Sequence, residues 1–76
     1  MAGLDRIGHN PLVMGGKPII RGMRVTVGMI LGEISSGASF DDILADFPYL
    51  EREDIVQAVR YGAWLAEERE FELVDP

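Results

Sequence analysis

The residues of this chain best placed to do chemistry are three cations close together near its start, Lys17, Arg21 and Arg24. Grouped within eight residues, they suit a phosphate backbone or an acidic partner. They also suit an internal task. Arg21 or Arg24 can pair with carboxylates farther along the chain and fasten its own segment to them.

The other reactive side chains form no catalytic set. His9 is the only histidine. It has no second ligand at helical or hairpin spacing, so it makes no metal site and reads as part of an N-terminal arm. Ser35 and Ser36 have no base near them and lead into Gly37, which reads as a helix end, not a nucleophile. Gly15-Gly16-Lys17 lacks the spacing of a phosphate loop and the Ser or Thr that follows one, and reads as a turn. Asp41, Asp42 and Asp46, with Glu51, Glu53 and Asp54, lack the alternation and glycine of a calcium loop, and read as solvated acids at helix starts. The expectation is a protein that is not an enzyme, takes no cofactor and works by binding another macromolecule.

Charge narrows where such binding can occur. Residues 1–32 hold four cations, Arg6, Lys17, Arg21 and Arg24, against Asp5, a balance of +3. Residues 33–76 hold three, Arg52, Arg60 and Arg69, against twelve acids, a balance of −9 that completes the net −6. A nucleic-acid surface is therefore expected only in the first part, through Lys17, Arg21 and Arg24. At 76 residues the chain forms one domain with a marginal core, and without cysteine it has no disulfide to help. A homodimer or an obligate partner is expected to supply the rest. No apolar run approaches the roughly 20 residues of a membrane span, and MAGLDRIGHN has no signal-peptide core, so a cytoplasmic location away from membranes is expected.

The elements that must position these residues follow from pattern. Residues 1–10 are expected to be a flexible arm, residues 11–70 one domain, and residues 71–76 a C-terminal tail. Short β-rich runs at Leu12–Met14, Pro18–Ile20 and Val25–Val27 are broken by Gly15-Gly16 and Arg21-Gly22, which predicts a hairpin with Gly-Gly at its turn. From Val27 the apolar period becomes helical through Ile30, Leu31 and Ile34, and Gly37 closes that helix. Ser39 caps a second helix carrying Phe40, Ile43, Leu44 and Phe47, which Pro48 stops. A third runs from about Glu51 to about Glu70, with Ile55, Ala58, Val59, Gly62 and Ala66 as its inward stripe. The fold class expected is mainly α, a three-helix helix-turn-helix (homeodomain-like) domain with an N-terminal β-hairpin.

On that third helix Trp64 lies nine positions after Ile55, half a turn away from it. Val56, Arg60 and Phe71 project near Trp64. Either the hairpin covers this tryptophan, or Val56, Arg60, Trp64 and Phe71 form a protein interface, for which these residue types are enriched. For DNA, the third helix begins Glu51-Arg52-Glu53-Asp54, and acids there repel phosphates.

Several of these residues together resemble a known bacterial family. They are Pro11, Gly16-Lys17-Pro18, Arg21-Gly22-Met23-Arg24, Gly37, Ser39 with Ile43-Leu44, Phe47-Pro48-Tyr49-Leu50, Asp54-Ile55, Ala58 and Tyr61. In this order, over about fifty residues, they resemble the family called domain of unknown function four-thirty-three. The family usually carries threonine where this chain has Met23, and Ser or Thr where it has Glu51. The resemblance implies a homeodomain-like helix-turn-helix with an N-terminal hairpin, often dimeric. It also implies an antitoxin-like role, in which the chain neutralises a PIN-like nuclease toxin and regulates its own operon. The alternative is a dimeric DNA-binding regulator without a toxin partner.

Overall fold

The computed structural model describes residues 3–68. In chain order these form strand β1 (Ile7–Gly8), a turn of 3-10 helix at Met14–Gly16, strand β2 (Ile19–Ile20), and helices α1 (Val27–Ser35), α2 (Phe40–Asp46) and α3 (Arg52–Glu68). The domain is mainly α, three helices behind a two-stranded antiparallel hairpin, as the pattern predicts. Ile7 stands opposite Ile20 and Gly8 opposite Ile19.

The hairpin is nevertheless built from a different first strand. Leu12–Met14 spends its backbone locally. The Asn10 side chain accepts from the Leu12 N–H at 2.9 Å, and the Asn10 carbonyl accepts from the Val13 N–H at 2.9 Å. This is the turn that an Asn-Pro step favours. Leu12 is 89% exposed and gives such a strand nothing to bury. Met14, Gly15 and Gly16 all take positive φ, 50°, 66° and 79°, so Gly-Gly lies inside a wide loop instead of forming a two-residue turn. The strand comes from the segment expected to be an arm. There Ile7 packs on the core and Leu4 is buried.

A second, tight reversal follows β2. The Met23 N–H donates to the Ile20 carbonyl at 2.8 Å, and the Ile20 N–H donates to that of Val25 at 2.9 Å. Arg21 and Gly22 have φ of 45° and 71°, the paired positive values of a type I′ turn. Arginine is unusual there, and its side chain has a specific use.

The helix boundaries follow their capping residues. Thr26 Oγ1 accepts from the Met29 N–H and starts α1, and Gly37 at φ 96° follows its end. Ser39 and Asp42 form a reciprocal capping box at α2: the Ser39 hydroxyl accepts from the Asp42 N–H at 3.0 Å, and the Asp42 carboxylate from the Ser39 N–H at 2.9 Å. Asp42 is held below the usual carboxylate range, first by that Ser39 backbone bond and then by the hydroxyl. Ile20, Val25, Val27, Ile30, Ile43, Leu50, Ile55 and Ala58 form the core that the elements share.

The inward stripe of α3 is rotated from its expected position. Ile55 and Ala58 are fully buried, but Val59 is 40% exposed and Ala66 is exposed. The buried side instead runs through Asp54, Ile55, Gln57 and Ala58, with Tyr61, Gly62 and Leu65 half-covered. At 100° per residue its centre lies about 70° from the predicted one. A count of apolar residues passes over Asp54 and Gln57, and these two polar side chains set the orientation. Gly62 lets α1 close on α3, since a Cβ there would meet Leu31 Cδ1 at 2.8 Å.

Urea unfolding distinguishes the two registers. Ile55→Ala should lower the unfolding free energy by about 2–5 kcal/mol through a core cavity, whereas Val59→Ala should change it by less than about 1 kcal/mol. Equal losses at both positions would restore the predicted stripe.

Candidate functional site

The densest polar constellation is centred on Asp54, whose side chain is fully buried at the start of α3. Its Oδ1 accepts from Arg21 Nε at 3.0 Å and from Arg6 Nη1 at 3.0 Å. Its Oδ2 accepts from Arg21 Nη2 at 2.8 Å and from the Glu51 backbone N–H at 2.8 Å. Two oxygens thus take four bonds, which fills their lone pairs. The Arg21 pair is bidentate, and its Nη2 also donates to the Tyr49 carbonyl at 3.0 Å. The Glu51 bond is the returning half of a capping box, with Asp54 three residues into the helix.

Burial pushes the Asp54 carboxyl up. The bonds from Arg21, the Glu51 backbone and Arg6 outweigh it and hold the group below its ordinary value. Asp54 is therefore a buried, paired charge and not the solvated helix-start acid that its neighbourhood suggested. Glu51 and Glu53 are exposed as expected, and Glu51 forms a further ion pair with Arg6.

Gln57, one turn along and 3% exposed, extends the network. Its Nε2 donates to Asp5 Oδ1 at 2.8 Å, and its Oε1 accepts from the Arg6 backbone N–H at 2.9 Å. The Arg21 N–H donates to the Arg6 carbonyl at 2.8 Å. Asp54 and Gln57 thereby fasten both the lead-in to β1 and the turn after β2 onto one face of α3. Arg6 and Gln57 were not singled out by sequence reasoning, and Asp5 drew notice only as a neighbour of His9. The available signal was spacing: Glu51 to Asp54 is a capping interval, and Asp54 to Gln57 is one helical turn.

The three cations are not equivalent. Arg21 grips Asp54 with its guanidinium while its side chain stays 37% exposed, so it has a structural task as well as a place at the surface. Lys17 and Arg24 are exposed and make no ion pair among the described residues. His9 is exposed, with Nδ1 3.1 Å from the Gly16 carbonyl oxygen.

Of the expected protein-binding stripe, Val56 is half-buried and Arg60 is exposed, 3.5 Å from Glu53. Phe71 lies outside the described residues. Trp64 is 37% exposed, and its ring lies 6.0 Å from that of Tyr61. With the register of α3 rotated, Trp64 flanks the buried face instead of standing opposite it. Its neighbour Tyr61 belongs to a cleft of about 460 Å³ between the start of α1 and the far half of α3. Pro18, Met29, Leu31 and Leu65 supply apolar walls, and Lys17 is its one charged side chain. Met29, which also lines the cleft, is 38% exposed, and Tyr61 links the cleft to Trp64.

The fold and these sites define a small mainly-α domain whose N-terminal hairpin is held on its last helix by a buried carboxylate. Residues 7–62 match the family described as Protein of unknown function (DUF433), and the chain belongs to it. The crystal structure of a DUF433 member protein from Anabaena variabilis is similar, with a TM-score of 0.78 and 31% identity over 84% of this chain. This chain spans 63% of that one's length. No functionally curated protein matches the sequence.

The pairing of Asp54 has a pH signature. Its folded value is depressed, so the stability it contributes is present at neutral pH, above the unfolded value of about 4. That contribution is lost as pH falls through the lower folded value. Asp54→Asn should therefore flatten the decline of unfolding free energy below about pH 4, while costing about 3 kcal/mol at pH 7. Urea titrations at a series of pH values measure both. A variant with the original acid slope would remove Asp54 as its source.

Proposed function

We propose that this chain is an antitoxin-like protein-binding module that uses the Tyr61–Trp64 end of α3, with the adjoining cleft, to hold and neutralise a PIN-like nuclease. The observation that carries the reading is the apolar surface of Trp64, Tyr61, Met29 and Leu65 at one end of a chain with a net charge of −6. Tryptophan and tyrosine are among the residues that most often carry the energy of protein interfaces. An acidic body also complements the basic groove of a nuclease. In this reading the protein is a cytoplasmic homodimer that regulates its own operon.

The competing reading, a dimeric helix-turn-helix regulator that acts on DNA alone, has less support. Exposed Glu51 and Glu53 stand at the start of α3, and the Arg21 guanidinium is already paired with Asp54. Lys17 and Arg24 are the first-half cations left for phosphate. DNA contact through them would be weak, and neutralising both would flatten its salt dependence by about two units of slope.

The test is inhibition of RNA cleavage by a PIN-like nuclease encoded beside this chain. Trp64→Ala should weaken the complex by at least about 2 kcal/mol, roughly thirtyfold. The same change should lower folding stability by roughly 1–2 kcal/mol, from the Tyr61 contact and the covered part of the ring, which is less than the loss expected for Ile55→Ala. Absence of such a gene, or of inhibition at micromolar concentrations, would overturn the reading. A Trp64→Ala variant that unfolds like Ile55→Ala would move Trp64 into the core. Sedimentation equilibrium should show twice the 8.4 kDa monomer mass.

A further inference from the structure

The cleft beside α1 is the part of this surface with the most definite chemistry. Its volume, about 460 Å³, lies within the roughly 300–1,000 Å³ of ligand-binding pockets and suits a few apolar side chains. The walls come from separate parts of the fold. Lys17 and Pro18 lead into β2, Met29 and Leu31 lie on α1, and Tyr61 and Leu65 lie on α3. The hub at Asp54 holds the turn after β2 against α3, and Gly62 sets the approach of α1 to α3 through Leu31. The shape is therefore built by the folded core and does not depend on one surface side chain.

Charge selects what enters. The chain as a whole is acidic, yet the single charged residue among the lining side chains is a cation, Lys17. Its ammonium makes no ion pair among the described residues. The first turn of α1, which borders the cleft at Val27–Met29, carries no acid, so no carboxylate of its own meets Lys17 there. An apolar trough with one cation at its edge that makes no ion pair among the described residues complements an apolar segment that carries a carboxylate.

We propose that this cleft receives a short segment of the partner protein in which apolar side chains fill the trough between Met29 and Leu65 and an Asp or Glu reaches Lys17. The inference rests on the protein-binding reading above and names the partner chemistry that the cleft accepts. It also separates two roles: Trp64 supplies contact area outside the cleft, and Lys17 sets the sign of charge that the segment must carry.

Trp64 is the only tryptophan and lies beside Tyr61, so its fluorescence reports occupancy of the cleft. The experiment titrates the full chain with three synthetic helical peptides that share one apolar face and carry Glu, Gln or Lys at the flanking position. The Glu peptide is expected to bind best and to lose affinity with added salt. Lys17→Glu should weaken the Glu peptide at least about tenfold and make the Lys peptide the preferred one. Lys17 is exposed, so this variant keeps its fold, and circular dichroism checks that. Met29→Arg, at the mouth of the cleft, should weaken all three peptides. Failure of every peptide to bind at millimolar concentration would overturn the proposal, and so would an unchanged charge preference in Lys17→Glu. Inhibition of the nuclease that is indifferent to Lys17→Glu would sink this inference and leave the protein-binding reading standing. Peptide binding without nuclease inhibition would do the reverse.

Discussion

The ion pair between Asp54 and Arg21 is the interaction on which the arrangement of this domain depends. A carboxylate fully removed from water is costly unless every lone pair is met, and here Arg21, Arg6 and the Glu51 backbone meet them all. Because the four donors come from three places in the chain, satisfying one side chain fixes three segments relative to one another. Arg21 reaches the site from a left-handed turn position, φ 45°, that arginine seldom occupies. Its backbone N–H bonds to Arg6 while its side chain grips Asp54, so the turn is held at both ends.

That pairing also divides the cations of the first half by task. Arg6 and Arg21 hold the hairpin to α3, and Lys17 and Arg24 make no ion pair among the described residues. A count of charge along the chain treats all four as one basic region. In the folded chain the region is half structural, and the cation that remains beside an apolar wall is Lys17. The cleft is consequently lined by apolar groups and one positive charge, which is the chemistry of a protein contact more than of a phosphate contact.

Much of the fold was legible because its signals are local. Ser39, Gly37, Pro48 and the apolar period from Val27 to Ile34 each act through neighbouring residues, so the limits of α1 and α2 fall where the pattern puts them, while the expected end of α3 at about Glu70 lies outside the described residues. The hairpin was legible in kind but not in partner. Gly15-Gly16 is a turn signal whether the loop around it is two residues or ten. The choice of Ile7 over Leu12 rests on which one reaches the shared core. On α3 the apolar count placed Val59 and Ala66 inside, because periodicity scores hydrophobic residues and gives no weight to a buried acid or amide. Trp64 was singled out because it stands opposite the predicted stripe. Its position beside the cleft came only with the true register.

By itself the sequence determined the helix caps, the three-helix order, the absence of disulfides and the uneven charge. All of these follow from residue type and short-range spacing. Tertiary structure alone decided which acid is buried, which arginine is spent on it and which strand pairs with Ile19–Ile20. The reason is range: Asp54 lies 33 residues from Arg21 and 48 from Arg6, and no local rule selects those partners from among twelve acids in the second half. Only when the hairpin and α3 pack on one core does desolvation make a particular carboxylate need particular guanidiniums.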